Sequence, residues 1–344
     1  MIRRLAVACV IATGVVASGA VFAQDGPPLP GQVVVGDLAQ PRGVSVGPDG
    51  SLILVEGGAG GNLVVAETPD GTFTGGMAQS VSSVAADGTK TPLLLLPSLD
   101  AGREALSAYR AYWHDGSWWV VMSGSSPGQP PWQPLASTVL QVSPEGRILT
   151  LIDLYAYEAA NDPDGTGEIN SNPGDVAWLS DGTMLITDSG ANVLYSWTED
   201  ADLQVVQVWR ANPVPTSIAV TPADDVYVGF LGAGIAPGAG HIEHWSNGEL
   251  VETFTGLTAV TDIDLTADGT LYAVQMFQFG ADLSTGPGPG SIVTVTADGA
   301  TPVVQGLPLA HSMAIADDGT IYVTVGTAAL RGPMPGALLK IAPQ

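Results

Sequence analysis

Glu56 and Asp188 each close a short apolar run, and Asn172 precedes another run of the same kind. Carboxylate and amide oxygens are hard donors, and with water they suit calcium, magnesium or another divalent cation. Arg42 lies where it can pair with Glu56, so a salt bridge is the competing reading of that carboxylate. A second candidate is the loop from Asn161 to Asn170. Asp162, Asp164, Thr166 and Asn170 offer oxygens at nearly alternate positions around Gly165, as a calcium loop does. It lacks the closing bidentate glutamate and shows no flanking helices, so a solvated acidic turn is the alternative. His311 has the chemistry of a ligand or a base, or of a plain polar lining residue. Gly124-Ser125-Ser126-Pro127-Gly128 fits a nucleophile pattern, but that pattern needs a strand, a turn and a helix, and this copy sits among prolines and glycines. Gly286-Pro287-Gly288-Pro289-Gly290 is too broken by proline to cradle a phosphate. No catalytic residue is nominated.

These residues are positioned by a phrase that occurs six times: an Asp-Gly turn or a close relative, followed at once by alternating apolar residues. Its copies centre on Gly50, Gly116, Gly182, Asp224, Gly269 and Gly319, at steps of 66, 66, 42, 45 and 50 residues. A short apolar strand precedes each turn, so every copy reads as a tight hairpin within a unit of about four strands. The expected fold is all-β, a six-bladed β-propeller spanning residues 32–344. The last unit runs out of chain, and the alternating residues 32–38 are expected to supply its missing outer strand and close the ring. All the long Gly/Pro-rich connections fall on the face opposite the Asp-Gly turns, which makes that face the candidate binding side. Aligning the copies by their glycines puts Arg42, Ala108, Gly174, Thr216, Thr261 and His311 at the channel mouth. The second strands end there at Glu56, Met122, Asp188, Phe230, Gln275 and Val325. Arg42, Glu56, Asn172, Asp188, Thr216, Gln275 and His311 are thus the candidate ligand contacts, with Glu56, Asn172 and Asp188 as one metal set and Asp162, Asp164 and Asn170 as another.

Composition bounds the partners. Residues 1–23 have a basic start (Arg3, Arg4), an apolar run and a small-residue cleavage site, the pattern of a secretory leader, and residues 24–31 read as a short linker. The 344-residue chain holds 10 basic and 34 acidic residues, and its net charge of -24 falls to about -26 once Arg3 and Arg4 are removed. Such acidity disfavours nucleic acid and keeps an exported protein soluble. The one cysteine, Cys9, lies inside the leader, so the mature chain has no thiol, disulfide or cysteine metal site. No stretch after the leader is apolar enough to cross a membrane. The expected location is secreted or periplasmic, the expected state a monomer, and the partner a small molecule or a protein.

The opening Leu38-Ala39-Gln40-Pro41-Arg42-Gly43-Val44-Ser45-Val46-Gly47-Pro48-Asp49-Gly50 resembles that of the ScyD/ScyE family of secreted propellers, of the NHL and SMP-30-like superfold. Asp153-Leu154-Tyr155-Ala156-Tyr157-Glu158-Ala159-Ala160-Asn161-Asp162-Pro163-Asp164-Gly165 is similar to that family's most recognisable segment. The resemblance covers nearly all of the mature chain and implies an exported six-bladed propeller, with no established catalytic residues to carry over. The sequence departs from it at residues 103–110, where a Gly- and Pro-containing lead with a histidine is expected. Two functions compete: a noncatalytic propeller that binds a ligand or partner on its loop-rich face, and a divalent-metal-dependent hydrolase or lactonase of the SMP-30/gluconolactonase type. A role in secondary-metabolite maturation rests on the family's naming alone.

Overall fold

The computed structural model describes residues 28–68, 71–100, 105–124, 134–280, 287–327 and 336–343. The leader, the first half of the linker and Ser125 to Gly128 lie outside the described residues. Strand β1 (Gln32–Leu38) leads into a large sheet of β2 (Pro41–Val46), β3 (Leu52–Glu56), β4 (Leu63–Thr68), β5 (Gly71–Val84), β6 (Lys90–Asp100) and β7 (Ala105–Leu106). The second sheet holds β8 (Ala108–His114), β9 (Ser117–Met122), β10 (Thr138–Val142) and β11 (Ile148–Asp153), followed by helix α1 (Leu154–Asn161). The third comprises β12 (Pro173–Trp178), β13 (Met184–Asp188), β14 (Val193–Thr198) and β15 (Asp202–Val208). The fourth comprises β16 (Pro215–Val220), β17 (Val226–Phe230), β18 (Gly240–Ser246) and β19 (Glu249–Leu257), with one 3-10 turn at Ala233–Ile235. Strands β20 (Val260–Leu265), β21 (Leu271–Phe279), β22 (Pro287–Thr296) and β23 (Gly299–Leu307) make the fifth, and β24 (Met313–Ile315), β25 (Ile321–Val325) and β26 (Gly336–Ile341) belong to the last.

Pairing within each sheet is antiparallel and joins sequence neighbours apart from β3 with β5 and β1 with β26, and the innermost strands β2, β8, β12, β16, β20 and β24 touch in that order and return to β2. The fold is therefore an all-β propeller. The six-bladed expectation is corrected, because the structure builds five four-stranded blades. The sheet of residues 41–106 has a different pattern, six strands with β4 paired only to β5 and β7 added beyond β6. The 66-residue first step is the cause: its surplus over the 42 to 50 of the last three steps goes into β4 and the lengthened β5 and β6. Strand β1 pairs with β26 through Gln32–Lys340 and Val33–Leu339, so the N-terminal strand completes the last blade.

Second strands are sandwiched between neighbouring sheets and read as unbroken apolar runs for that reason. Strands β3, β9 and β13 are buried at every position. Ile53, Val55, Val81, Leu94 and Leu96 of the first sheet pack on Val120, Met122 and Leu140 of the second, and such inter-sheet layers make up the core. The Asp-Gly turns hold the first two strands in register. Gly182 donates its amide to Leu179 O (3.0 Å) at φ +87°, and Asp181 accepts from the Thr183 amide (2.9 Å). In the worn fourth copy Asp224 takes the same left-handed position at φ +64°. No helix among the described residues is long and apolar enough to cross a membrane.

A Cβ at Gly182 would meet nothing within 4 Å, so the cost of a side chain there is purely torsional. Gly182→Ala is expected to lower unfolding stability by about 1 kcal/mol, read as a lower urea midpoint at unchanged slope.

Candidate functional site: the two mouths of the channel

The innermost strands carry one polar belt at a single level of the channel. Register places Arg110, Asp175, Ser217 and Asp262 at equivalent points, each one step inside the pair that opens its strand. Arg110 crosses the channel, donating from Nη1 to Asp262 Oδ2 (2.8 Å) and to Ser312 Oγ, and from Nη2 to the Thr261 carbonyl (3.0 Å). Its Nε stands 3.9 Å from Asp175 Oδ1, which accepts from Tyr112 Oη (2.6 Å) and the Val176 amide (2.9 Å). Asp262 Oδ2 also accepts from the Met313 amide (2.7 Å). Burial alone would push the guanidinium toward neutrality, but Asp262 and Asp175 outweigh it and hold the charge on Arg110. Gly43 leaves room for this side chain, since a Cβ there would lie 2.6 Å from Tyr109 O and 3.3 Å from Arg110 Cδ.

The belt separates two cavities. On the Asp-Gly side, a cavity of about 570 Å³ is lined by Tyr112, His114, Trp178, Asp175, Asp262 and Asp264, among others. On the loop side, about 540 Å³ opens above Arg42, Tyr109, Asn172, Thr216, Thr261 and His311, with an opposite wall that includes Leu231, Ile235, Met276, Phe277 and Phe279. The Arg42 guanidinium sits 4.9 Å over the Tyr109 ring, which lies 5.3 Å from the His311 ring. His311 is buried, and burial together with the Arg42 and Arg110 charges holds its pKa well below the usual range, so the imidazole is neutral. Thr261 Oγ1 and His311 Nδ1, buried polar atoms of residues in this lining, have no hydrogen-bond partner among the described residues.

The structure brings Arg42, Asn172, Thr216 and His311 together at this mouth. Glu56, Asp188 and Gln275 are not part of its lining. Each instead ties the loop that enters its own blade: Glu56 accepts from the Ala39 amide (3.1 Å), Asp188 from the Asn172 amide (2.7 Å) and Gln275 from the Thr258 amide (2.7 Å). Asp188 further accepts from Ser171 Oγ (2.6 Å) and from the Gly190 and Ala191 amides (3.0 and 3.1 Å), while Glu56 pairs with Lys90. The Asn172 carboxamide oxygen accepts from the Gly124 amide (2.7 Å). At the acidic loop, α1 stands on the N-terminal side, contrary to the expectation of no flanking helix. Asp153 caps its start by accepting from the Ala156 amide (2.9 Å), and Asp162 ends it at φ +44°. Asp162 accepts from the Gly167 amide (3.2 Å), Asp164 from Thr166 N and Oγ1 (3.0 and 2.9 Å), and the Asn170 amide donates to Glu158 Oε2 (3.1 Å). Among the described residues no three His, Cys, Asp or Glu side chains group as a metal site.

Sequence reasoning missed the belt and misplaced one mouth residue. Counting back from each glycine puts Ala108 at the mouth of blade two, whereas Tyr109 lines it and Ala108 is wholly buried. The reason is a shorter turn: Trp113 pairs with Trp118, while Val46 pairs with Leu52 and Trp178 with Met184. Allowing for that one residue aligns Arg110 with Asp175 and Asp262, three buried charges at one repeat position.

No known family profile matches the sequence, and no curated protein matches it. The fold is similar to that of a gluconolactonase from Xanthomonas campestris (TM-score 0.56, 14% identity, 98% of this chain and 99% of that one). It is also similar to a streptogramin B lyase (TM-score 0.50, 13% identity, 91% and 95%). Likeness at this identity establishes the β-propeller superfold, and two neighbours of different activity show that the superfold does not select a reaction.

Arg110→Met is expected to destabilise the fold by about 3–5 kcal/mol, because it leaves two buried carboxylates without their cation. Adding Asp262→Asn should recover part of that loss in a urea titration. Burial, reinforced by Asp262, raises the Asp264 carboxyl to about 7, and burial raises Glu158 to about 7. Unfolded carboxyls ionise near pH ~4, so the protonated forms contribute stability that is full below that value and lost as pH rises through about 7. The melting temperature is expected to fall between about pH 5 and pH 8, less steeply in Asp264→Asn and less again with Glu158→Gln added.

Proposed function

We propose that this chain is an exported, noncatalytic propeller that takes a small molecule into its loop-side mouth. The observation that carries the reading is the cavity of about 540 Å³ with buried, unpartnered polar atoms in its lining. Buried polar groups are nearly always hydrogen-bonded, and a ligand that reaches them would supply the missing partners. The long connections gather on the same side, on a rigid ring. The leader-like residues 1–23 and the resemblance to ScyD/ScyE propellers support export. The lactonase alternative draws on the fold it shares with a gluconolactonase, but it needs Glu56, Asn172 and Asp188 to converge on one cation. Their oxygens instead hold loop amides, Ser171 and Lys90, so binding is the better supported reading.

The test is ligand-observed NMR of the mature chain against a broad metabolite library. Ile235→Trp on the rim of the loop-side mouth is expected to weaken the ligands found by about tenfold or more, while Val46→Trp at the opposite mouth leaves them unchanged. Ligands lost in Val46→Trp and retained in Ile235→Trp would reverse the assignment.

A further inference from the structure

The cavity on the Asp-Gly side is opened by a second ring of the repeat. Ser45, Tyr112, Ala177, Ala219, Asp264 and Ala314 each pair with the residue three before the end of their second strand, so they share one level, and all six line the cavity. Four of them are alanine or serine, which leaves about 570 Å³ unfilled where bulkier side chains would close the channel. The Ser45 hydroxyl donates to the Ala111 carbonyl (2.7 Å) and the Tyr112 hydroxyl to Asp175 (2.6 Å). Asp264 is the ring's one carboxylate.

Every residue of this lining is described, and it holds Asp175, Asp262 and Asp264 with no lysine or arginine. Asp175 and Asp262 already share the Arg110 guanidinium. Asp264 differs. Its Oδ1 accepts from the Leu265 amide (2.8 Å) and its Oδ2 from the Ile315 amide (3.3 Å), and among the described residues no cationic side chain pairs with it. An ionised carboxylate has about four lone-pair sites, so two backbone amides leave room for further donors. Burial, reinforced by the Asp262 charge, keeps a proton on this carboxyl up to about pH 7, a cost that an added cation would offset. The surroundings are otherwise largely apolar. Val44, Val176, Ile218, Ile263 and Met313 contribute to the lining, and Trp178 gives it a flat side with the His114 ring stacked on it at 4.1 Å and 11°.

We infer that the turn-side mouth is a second binding site, and that it takes a small molecule with a primary ammonium on an apolar, ring-bearing body. The ammonium donates to the Asp264 carboxylate, and the body lies among the aliphatic side chains beside Trp178. An anion at the same place would meet three carboxylates and one shared guanidinium, and an alcohol would leave the Asp264 charge uncompensated. The loop-side reading is separate, because the Arg110 belt lies between the two cavities.

Isothermal titration of the mature protein at pH 8 with phenethylammonium, phenethyl alcohol and 3-phenylpropionate tests this. The ammonium is expected to bind about tenfold or more tightly than the alcohol, and the carboxylate to show no saturable binding. Asp264→Asn should bring the ammonium to within about twofold of the alcohol. Ammonium affinity is also expected to rise about tenfold from pH 6 to pH 8, since below about 7 the ligand must displace the Asp264 proton. Asp175, Asp262, Tyr112, Tyr272 and His114, the other titratable groups around it, remain in Asp264→Asn, so loss of the pH step there isolates Asp264. Val46→Trp, on the exposed rim, should weaken the ammonium about tenfold, while Ile235→Trp leaves it unchanged. A turn-side ammonium is recognised by its loss in Asp264→Asn, so it counts neither for nor against the loop-side mouth. The three-ligand comparison on the unaltered protein decides the matter even if a variant folds poorly. No advantage of the ammonium over the alcohol, or equal binding of the carboxylate, overturns the ligand class. Ammonium binding that Val46→Trp and Asp264→Asn both leave intact overturns the site.

Discussion

Everything around the channel depends on one buried guanidinium. Arg110 bonds Asp262, Ser312 and the Thr261 carbonyl and faces Asp175, so a single side chain from the second sheet engages the third, fifth and last. Propeller sheets meet mainly through apolar layers that tolerate sliding, whereas a charge-assisted network has few geometries that satisfy every member. The apolar layers supply the bulk of the driving force, and the belt specifies how the sheets meet. Gly43 belongs to the same design, because a side chain there would occupy the space through which Arg110 passes.

The belt also makes the two ends of the channel chemically independent. Carboxylates gather on the turn side, where burial, and then the nearby Asp262 charge, raise Asp264 toward neutrality. Arg42, a neutral imidazole and hydroxyls occupy the loop side. A molecule approaching along the axis therefore meets different side chains at the two openings, with the Arg110 belt between them.

Much of the architecture was legible because its period is written in residues that turns require. The Asp-Gly phrase located each hairpin, and the alternating residues 32–38 identified the closing strand. Blade count was less legible, since the phrase marks only two strands of each sheet and says nothing of how many others join it. The 66-residue steps were the visible sign: the first holds β4 and the enlarged sheet, and the second holds α1 with its acidic loop. Site residues were harder still. Glu56, Asp188 and Gln275 recur as polar side chains at one repeat position of the second strands, and that recurrence looks alike whether they bind an ion or an amide. Arg110 was hidden by a turn one residue shorter than its counterparts, which slid it out of line with Asp175 and Asp262.

Pairing of β1 with β26 has a consequence for the order of events during synthesis. Gln32 meets Lys340, so the seam joins residues separated by nearly the whole chain. Contacts of such sequence separation form late, because loop-closure entropy opposes them until the intervening structure exists. The earlier sheets can assemble from neighbouring segments as they emerge, but the last has only three of its strands until β1 returns to it. The nascent chain thus stays an open arc, with an unpaired edge at each end, until its final strand is made.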